Sequence, residues 1–271
     1  MKIKDIKIRV KTILRKKLSP TAIFLIKKLF LRNKFDEVDL IYSTLSKKII
    51  SKIMIDVGAH YGESFSPFLH DGWKVYAFEP DSRNMKELQI ISKDNDRLNL
   101  DNRGCSNKTE SNINFYSSEV SSGISSMSAF DSSHKETDKI DTVTLKDFIK
   151  DKQISNVGFL KIDTEGHDLF VLQGLPWDKI KPEVIVAEFE DKKSLSLGYT
   201  YHDMAKILIE NGYIVYISEW FPIQRYGAKH VWRSISGYPY QLKDANGWGN
   251  IIATTNSDFA KQLEKSVDVN S

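Results

Sequence analysis

The chain has 271 residues, of which 41% are hydrophobic and 28% are charged. This is the composition of an ordinary globular protein, and the length allows one α/β domain with a shorter extension. Cys105 is the single cysteine, which excludes a disulfide framework and a cysteine-based zinc cluster and indicates a reducing, cytoplasmic compartment.

The positive charge of the chain is concentrated in its first residues. Residues 1–35 contain twelve lysines and arginines and one acid, and the whole chain carries a formal charge of +3, so residues 36–271 carry −8. An acidic body is a poor surface for nucleic acid, and we therefore expect no nucleic-acid partner. Apolar residues recur at three- and four-residue steps from Ile3 to Leu18, which predicts a basic amphipathic helix in a helical extension over residues 1–50.

The next apolar run, residues 22–26, is too short to cross a membrane. A transmembrane helix needs about 20 apolar residues, and a secretory signal needs about 7 followed by a cleavage site. Two alternatives remain for the extension. Residues 1–35 attach peripherally to the inner face of an anionic membrane, or they pack on the body of the protein or on a partner subunit.

From residue 49 onward, short β-branched segments alternate with amphipathic ones. This alternation predicts an α/β, Rossmann-like domain over residues 51–271, with a mostly parallel seven-stranded sheet and helices on both faces. The predicted strands cover residues 52–57, 74–79, 98–105, 157–163, 183–189, 213–220 and 250–255. The predicted helices cover residues 62–71, 82–93, 144–151, 166–174 and 201–211.

Two segments do not fit this alternation. Residues 117–133 contain nine serines, which is too polar for a core segment and typical of a mobile flap. Residues 220–248 are rich in aromatic and basic side chains, among them Arg225, Lys229 and Arg233. We interpret this aromatic insertion either as a wall for a substrate or as aromatic packing against the sheet.

The first strand runs into the turn "DVGAHYG", residues 56–62. In an open parallel sheet, ligands bind beyond the carboxyl ends of the strands, beside the first strand. Gly58 and Gly62 allow a ligand to approach the backbone closely, and N–H groups near the next helix can donate to an anionic group. Glu79 ends the second strand, where an acid can accept hydrogen bonds from ribose hydroxyls. Together these features predict a cofactor that contains adenosine.

Further motifs follow in a fixed order. The segments "DVGAHYG", "VYAFEP", "NRGCSN", "SSGISSM", "TVTLKDFI", "LKIDTEGHDLFVLQG", "VIVAEFE" and "NIIAT" span about residues 52–255. In these segments the chain resembles the FkbM family of S-adenosylmethionine-dependent methyltransferases. It departs from the family pattern at His60, Cys105 and His167, where Asn, Ala and a small residue are usual.

The resemblance implies a class I methyltransferase fold with S-adenosylmethionine as cofactor. It places Asp56 near the cofactor's ammonium, the backbone from Gly58 to Gly62 around its amino-acid portion, Glu79 on the ribose and Ser106 beside the adenine. The implied cofactor-binding residues are Asp56, Gly58, Ala59, His60, Tyr61, Gly62, Glu79 and Ser106.

Methyl transfer to a hydroxyl needs an aligned acceptor and a group that removes the hydroxyl proton. The candidate catalytic residues are Asp163, Glu165 and Glu188, at the carboxyl ends of the fourth and fifth strands. The same acids could instead hold Mg²⁺ or Mn²⁺, so a divalent metal is an alternative second cofactor. We expect His60 to anchor the first turn and His167 to lie on the surface of its helix.

The family resemblance implies O-methyl transfer to a small-molecule or glycan acceptor that is carbohydrate-like, such as a surface polysaccharide, a glycolipid or a nucleotide sugar. Two alternatives stay open. A nicotinamide-dependent oxidoreductase would have a similar sheet, but it would need a G-x-G-x-x-G turn where this chain has G-x-x-x-G. A catalytically silent, membrane-associated partner module would depend on residues 1–35 instead of the acids.

Overall fold

The computed structural model describes residues 35–93, 95–118, 125–130, 132–224 and 230–268. The predicted basic helix and its membrane contact therefore lie outside the described residues, as do the centre of the serine-rich flap and the residues Arg225 and Lys229 of the aromatic insertion. Within the described residues, no helix is long and apolar enough to cross a membrane.

The helices and strands are named here in chain order. The strands are β1 (Ile53–Val57), β2 (Lys74–Phe78), β3 (Leu98–Asp101), β4 (Gly104–Cys105), β5 (Glu110–Ser118), β6 (His134–Val143), β7 (Phe159–Ile162), β8 (Val184–Glu190), β9 (Ile214–Trp220), β10 (Trp232–Gly237) and β11 (Trp248–Thr254). The α-helices are α1 (Glu37–Leu45), α2 (Ser66–His70), α3 (Ser82–Ser92), α4 (Leu145–Asp151), α5 (Asp168–Gln173), α6 (Asp191–Ser194), α7 (Tyr201–Glu210) and α8 (Ser257–Asp268).

The main sheet has the strand order β10-β9-β11-β8-β7-β1-β2-β3. Strands β3, β2, β1, β7 and β8 are parallel, whereas β11 runs antiparallel between β8 and β9. The predicted α/β fold with a mostly parallel sheet is therefore confirmed. The predicted number of seven strands is corrected to eight among the described residues, because β10, inside the aromatic insertion, pairs with β9.

The predicted third strand, residues 98–105, is two strands. Arg103 folds back onto Asp101, with its backbone N–H and its guanidinium both on the Asp101 carboxylate. This turn ends β3 and sends β4 into a second sheet of order β4-β6-β5. The serine-rich flap lies between β5 and β6 in the chain, and these two strands pair as an antiparallel hairpin at its base.

Helices cover both faces of the main sheet, as predicted. Side chains of α4, α5 and α7 form one core with the sheet, and those of α1, α2, α3 and α8 form the other. Helix α2 begins at Ser66 instead of residue 62, because Pro67 fits only the first turn of a helix. The loop from residue 58 to residue 65 is therefore longer than predicted and is free to form the site.

Residues 36–49, the end of the predicted extension, are built into the body. Asp36 caps α1 by accepting the N–H groups of Val38 and Asp39. Leu40, Ile41, Leu45 and Ile49 are buried in the core that contains α2 and α8. The apolar face of α1 thus packs on the sheet.

Candidate active site

The turn after β1 closes over the end of β2. The N–H groups of Gly58 and Ala59 both donate to the carbonyl oxygen of Phe78, at 3.0 and 2.9 Å. Gly58 has a φ of +84°, and a Cβ there would lie 1.8 Å from the carbonyl oxygen of Asp163. Only glycine fits this position, since both the backbone angle and the close approach exclude a side chain.

Glu79 is fixed beside this turn by backbone donors. Its carboxylate accepts the N–H of His60 at 2.7 Å and the N–H of Asp81 at 2.8 Å. Burial raises the pKa of Glu79 to about 7, although these two hydrogen bonds act in the opposite direction. A carboxylate offers about four acceptor positions, so Glu79 keeps acceptor capacity for a ligand.

A cavity of about 250 Å³ lies in front of the turn. Its polar wall combines the first turn, the end of β2 and the loop after β7, and its other wall comes from the second sheet and the flap. The lining residues are Val57, Gly58, His60, Phe78, Glu79, Pro80, Arg103, Gly104, Cys105, Phe115, Ser125, Ser126, Met127, Asp163, Thr164 and Glu165.

The described part of the serine-rich flap forms a wall of this cavity. Ser126 and Tyr116 exchange backbone hydrogen bonds of 2.8 and 2.9 Å, and the Ser126 hydroxyl donates to the carbonyl oxygen of Glu165 at 3.0 Å. Ser125 donates to the carboxylate of Asp81 at 2.9 Å. The flap therefore reaches from the hairpin to the loop after β7 and partly covers the cavity.

Asp56 does not line the cavity. It is fully buried, accepts the Ser64 hydroxyl, and forms an ion pair of 3.3 Å with Lys161. Lys161 also contacts Asp163 at 3.3 Å and donates to the carbonyl oxygen of Gly58 at 2.7 Å. Burial would lower the pKa of Lys161, but the charges of Asp56 and Asp163 outweigh burial and raise it. Asp56 and Lys161 thus tie β1, β7 and the first turn together from behind.

Four other predicted cofactor residues also lie outside the cavity wall. Ala59 is buried under the turn, and Gly62, at φ +78°, packs so closely on Phe65 that a Cβ would lie 2.4 Å from the ring. The Tyr61 ring contacts the His60 ring, with centroids 3.9 Å apart and planes tilted by 49°. Ser106 follows β4 and donates its N–H to Val143, so its neighbour Cys105 lines the cavity instead.

The three candidate catalytic acids converge at the carboxyl ends of β7 and β8. Carboxylate oxygens of Asp163, Glu165 and Glu188 lie within 4.8 Å of one another. Burial raises the pKa of Glu165 to about 7, and burial also raises the pKa of Glu188, in both cases against the lowering effect of the Lys193 ammonium. Asp163 and Glu165 line the cavity, whereas Glu188 lies behind them.

Lys193, in α6, is a residue of the site that sequence reasoning missed. Its ammonium contacts Glu165 at 2.5 Å, Glu190 at 2.7 Å and Glu188 at 3.5 Å. Its three partners come from two separate segments of the chain. The one local signal is the spacing of three residues between Glu190 and Lys193, which is common in solvated ion pairs.

Asp168, the first residue of α5, holds the loop after β7. Asp168 accepts the N–H groups of Thr164 and Gly166, and burial raises its pKa to about 6.

The prediction that His167 lies on the surface is wrong. His167 is the residue before α5 and is partly buried, and burial lowers its pKa to about 4, so its ring is neutral at physiological pH.

The described part of the aromatic insertion lies at the same edge of the sheet as the acids. Trp248 on β11 is in register with Glu190 on β8 and with Trp220 on β9. Trp220 is buried, and the half-buried Trp232, Tyr238 and Tyr240 pack against the two cores. Trp220 donates to the carboxylate of Glu37 at 2.7 Å, and Trp232 stacks on Phe35 with centroids 4.1 Å apart.

One face of the insertion stays accessible. Phe221 is 45% exposed and Val231 is 54% exposed, and the two residues are joined by a backbone hydrogen bond. The guanidinium of Arg233 lies 4.1 Å from the centre of the Phe221 ring and forms an ion pair with the buried Glu219. Two exposed apolar side chains thus lie beyond β8, beside the guanidinium of Arg233.

Solved structures with a similar fold are distant in sequence. The O-methyltransferase from Bacillus cereus, in complex with SAH, is 10% identical with a TM-score of 0.44, over 90% of this chain and 96% of that chain. Magnesium protoporphyrin IX methyltransferase from Synechocystis PCC 6803, with bound SAM, is 10% identical with a TM-score of 0.41, over 81% and 78%. Precorrin-6y C5,15-methyltransferase from Geobacter metallireducens GS-15 is 12% identical with a TM-score of 0.41, over 80% and 87%. A comparison with curated proteins finds no match.

A comparison with protein families gives a specific result. The Methyltransferase FkbM domain matches residues 56–215, which is more than half of the chain. The match begins in the first turn, ends in β9, and includes Glu79, Asp163, Glu165 and Glu188. It confirms the resemblance seen in the motifs and, together with the sheet, the predicted class I methyltransferase fold. The chain belongs to the FkbM family of methyltransferases.

Proposed function

We propose that the chain transfers a methyl group from S-adenosylmethionine to a hydroxyl oxygen of a carbohydrate-like acceptor. The observation that carries this proposal is that one cavity is lined both by Glu79, a buried carboxylate at the end of β2, and by Asp163 and Glu165. Glu79 suits the ribose of an adenosine group, and the other two acids suit the removal of a hydroxyl proton.

The residues of the cavity fit S-adenosylmethionine in charge and in shape. Three acids line the cavity, and the guanidinium of its Arg103 is already engaged by Asp101 at 2.7 Å. Lys161 and Lys193 pair with Asp163 and Glu165 from behind this wall, so the lining residues offer no unpaired cation to a pyrophosphate. The apolar wall offers flat space for an adenine ring and consists of Phe78, Pro80, Cys105, Phe115 and Met127. This charge pattern favours the methyltransferase over the nicotinamide-dependent alternative.

When bound, S-adenosylmethionine supplies a methyl group that its sulfonium has already activated. The chain has to hold the cofactor and the acceptor oxygen in line and exclude water. Glu79 and the backbone at Gly58 and His60 would hold the cofactor from the side of β1 and β2. The flap residues from Ser125 to Met127 would shield it from solvent.

Glu165 is the best candidate for the general base. Its pKa of about 7 balances two needs at physiological pH, because the group must be ionised and must still bind a proton well. A positioned base contributes roughly 10²–10⁴-fold to such a transfer. Asp163 lines the same cavity, and Glu188 supports Glu165 from behind through their shared contact with Lys193.

The carbohydrate part of the proposal is supported by the surface beyond β8. Neighbouring strands lie about 5 Å apart, so Trp248 on β11 is one strand from Glu190. The exposed part of the Phe221 ring gives an apolar area, and the Arg233 guanidinium, which uses one nitrogen on Glu219, has further N–H donors for an acidic or phosphorylated sugar. A surface polysaccharide, a glycolipid or a nucleotide sugar would present such groups.

The experiment is a transfer assay with S-adenosylmethionine that carries a labelled methyl group. The full chain is incubated with extracted glycan and nucleotide-sugar pools, and the labelled products are identified by mass spectrometry. We expect label in an O-methyl sugar, and we expect Glu165→Gln to lose it. Label in another product class would overturn the carbohydrate acceptor. Tight binding of NAD(H) in calorimetry, with none of S-adenosylmethionine or its demethylated product, would overturn the methyltransferase.

The same assay separates the partner-module alternative. A silent module would be unaffected by Asp163→Asn and Glu165→Gln and would depend on residues 1–35. We expect the opposite order of effects, since the acids line the cavity.

A further inference from the structure

The Lys193 ammonium is enclosed by carboxylates. It contacts Glu165, Glu188 and Glu190 at 2.5, 3.5 and 2.7 Å, and the lysine is 3% exposed. The ring of Phe130, from the flap, covers it with its centre 5.2 Å from Nζ. A buried lysine is retained in such a place only when paired charges offset the loss of hydration.

Two of these carboxylates belong to the group that could otherwise hold a metal. Oxygens of Asp163, Glu165 and Glu188 lie within 4.8 Å of one another, a spacing that suits a hard divalent cation. Such an ion would need oxygens of Glu165 and Glu188 at about 2.0–2.6 Å. Lys193 already contacts both side chains, so an ammonium and a divalent ion would compete for the same oxygens.

We propose that Lys193 is a built-in cation that takes the place of a divalent metal in this site. Its ammonium holds the carboxylates of Glu165 and Glu188 in position and keeps metal ions out. Lys193 is a positioning residue, because it acts on the reaction through Glu165. This role in turnover rests on the proposed methyl transfer, but the exclusion of metal can be measured without it.

The consequence of removing the charge follows from the surrounding acids. Lys193→Met keeps most of the apolar stem and leaves Glu165, Glu188 and Glu190 without their shared cation. Buried acids without a cation either take up protons or bind another cation. Because these three acids and Asp163 lie close together, we expect the variant to bind a divalent ion near neutral pH in preference to taking up protons.

The test is a titration of the cofactor-free full chain with Mn²⁺, followed by electron paramagnetic resonance of the free ion. We expect no saturable binding by the wild type and saturable binding by Lys193→Met with a dissociation constant of about 10⁻⁴ M or tighter. Lys192→Met is the matched control, since Lys192 is the exposed neighbour on the same helix. Lys193→Arg keeps a cation and is expected to bind no Mn²⁺.

Further variants locate the new site. Lys193→Met with Glu188→Gln should lose the Mn²⁺ binding that Lys193→Met gained. Saturable Mn²⁺ binding by the wild type would overturn the proposal even if no variant folds. A folded Lys193→Met chain that binds no Mn²⁺ would also overturn it, whereas loss of methyl transfer with unchanged metal titrations would count against the proposed function alone.

Discussion

The backbone N–H of His60 donates to the carboxylate of Glu79 at 2.7 Å, and His60 itself adopts a φ of +48°. This left-handed conformation is uncommon for residues with a side chain, but Asn, Asp and His adopt it more readily than others. The Asn that is usual in the FkbM pattern and the His of this chain therefore meet the same backbone requirement. The hydrogen bond depends on the backbone of residue 60, and the imidazole is not needed for it.

This relationship predicts different outcomes for two changes at His60. His60→Asn should keep the turn, the contact with Glu79 and the rate of methyl transfer within a few-fold of the wild type. His60→Val should weaken cofactor binding, because a β-branched residue at positive φ is strained by about 1–3 kcal/mol. Calorimetry with S-adenosylmethionine measures both, and a large loss in His60→Asn would give the imidazole a role of its own.

Cofactor binding should depend on pH through Glu79. Ribose hydroxyls donate to the ionised carboxylate, and burial raises the pKa of Glu79 to about 7. Affinity should therefore fall as the pH is lowered through about 7. Glu79→Gln should weaken binding by roughly ten- to hundredfold and flatten its pH dependence, because a hydrogen bond to a charged group contributes about 1.5–3 kcal/mol.

The free energy of unfolding should also depend on pH through Glu79, but it should fall as the pH rises, whereas cofactor affinity should increase. The folded chain holds this proton more tightly than the unfolded chain, because the pKa rises from 4.5 to about 7 on folding. The free energy of unfolding should therefore fall as the pH rises across this range and level off above it. Denaturant titrations at several pH values should show a smaller fall in Glu79→Gln, whereas Glu87→Gln, an exposed change on α3, should follow the wild type.

Gly58 and Gly72 form a matched pair for testing the first turn. They have φ values of +84° and +83°, but a Cβ on Gly58 would lie 1.8 Å from the Asp163 carbonyl oxygen, whereas nothing lies within 4 Å of a Cβ on Gly72. Gly72→Ala should lower the free energy of unfolding by about 1 kcal/mol, the cost of the backbone angle alone. Gly58→Ala should lower it further and abolish cofactor binding. Equal effects in denaturant unfolding would mean that the turn can move away from β7.

The strands that form the site could be predicted because they are buried on both faces. β1, β2, β7 and β8 consist largely of buried apolar residues, so their ends were predicted within about two residues. The first turn and Glu79 follow from these ends. The hairpin of β5 and β6 was missed because most of its side chains are exposed or half-buried, which leaves no alternation to read.

The positions of single side chains in the site were harder to predict. Asp56 points into the protein because alternation along β1 places it beside Lys161 on β7, away from the cavity. Cys105 lines the cavity in place of the predicted Ser106, because β4 leaves the main sheet. Lys193 could not be found from local pattern, since Glu165 lies 28 residues away from it along the chain.

Turnover should depend on pH through Glu165. Glu165 must be ionised to accept the hydroxyl proton, and burial raises its pKa to about 7 in spite of Lys193. The rate at saturating cofactor should therefore rise through about pH 7 and level off above it, the sign expected for a general base. Glu165→Gln should lower kcat by roughly 10²–10⁴-fold and remove this rise, while the affinity for S-adenosylmethionine stays within a few-fold.

Glu210→Gln, an exposed change on α7, should keep both the rate and the pH profile. If Glu165→Gln kept the rising limb, the proton would have to be accepted by another group, and Asp163 would be the next residue to change, since it lines the same cavity.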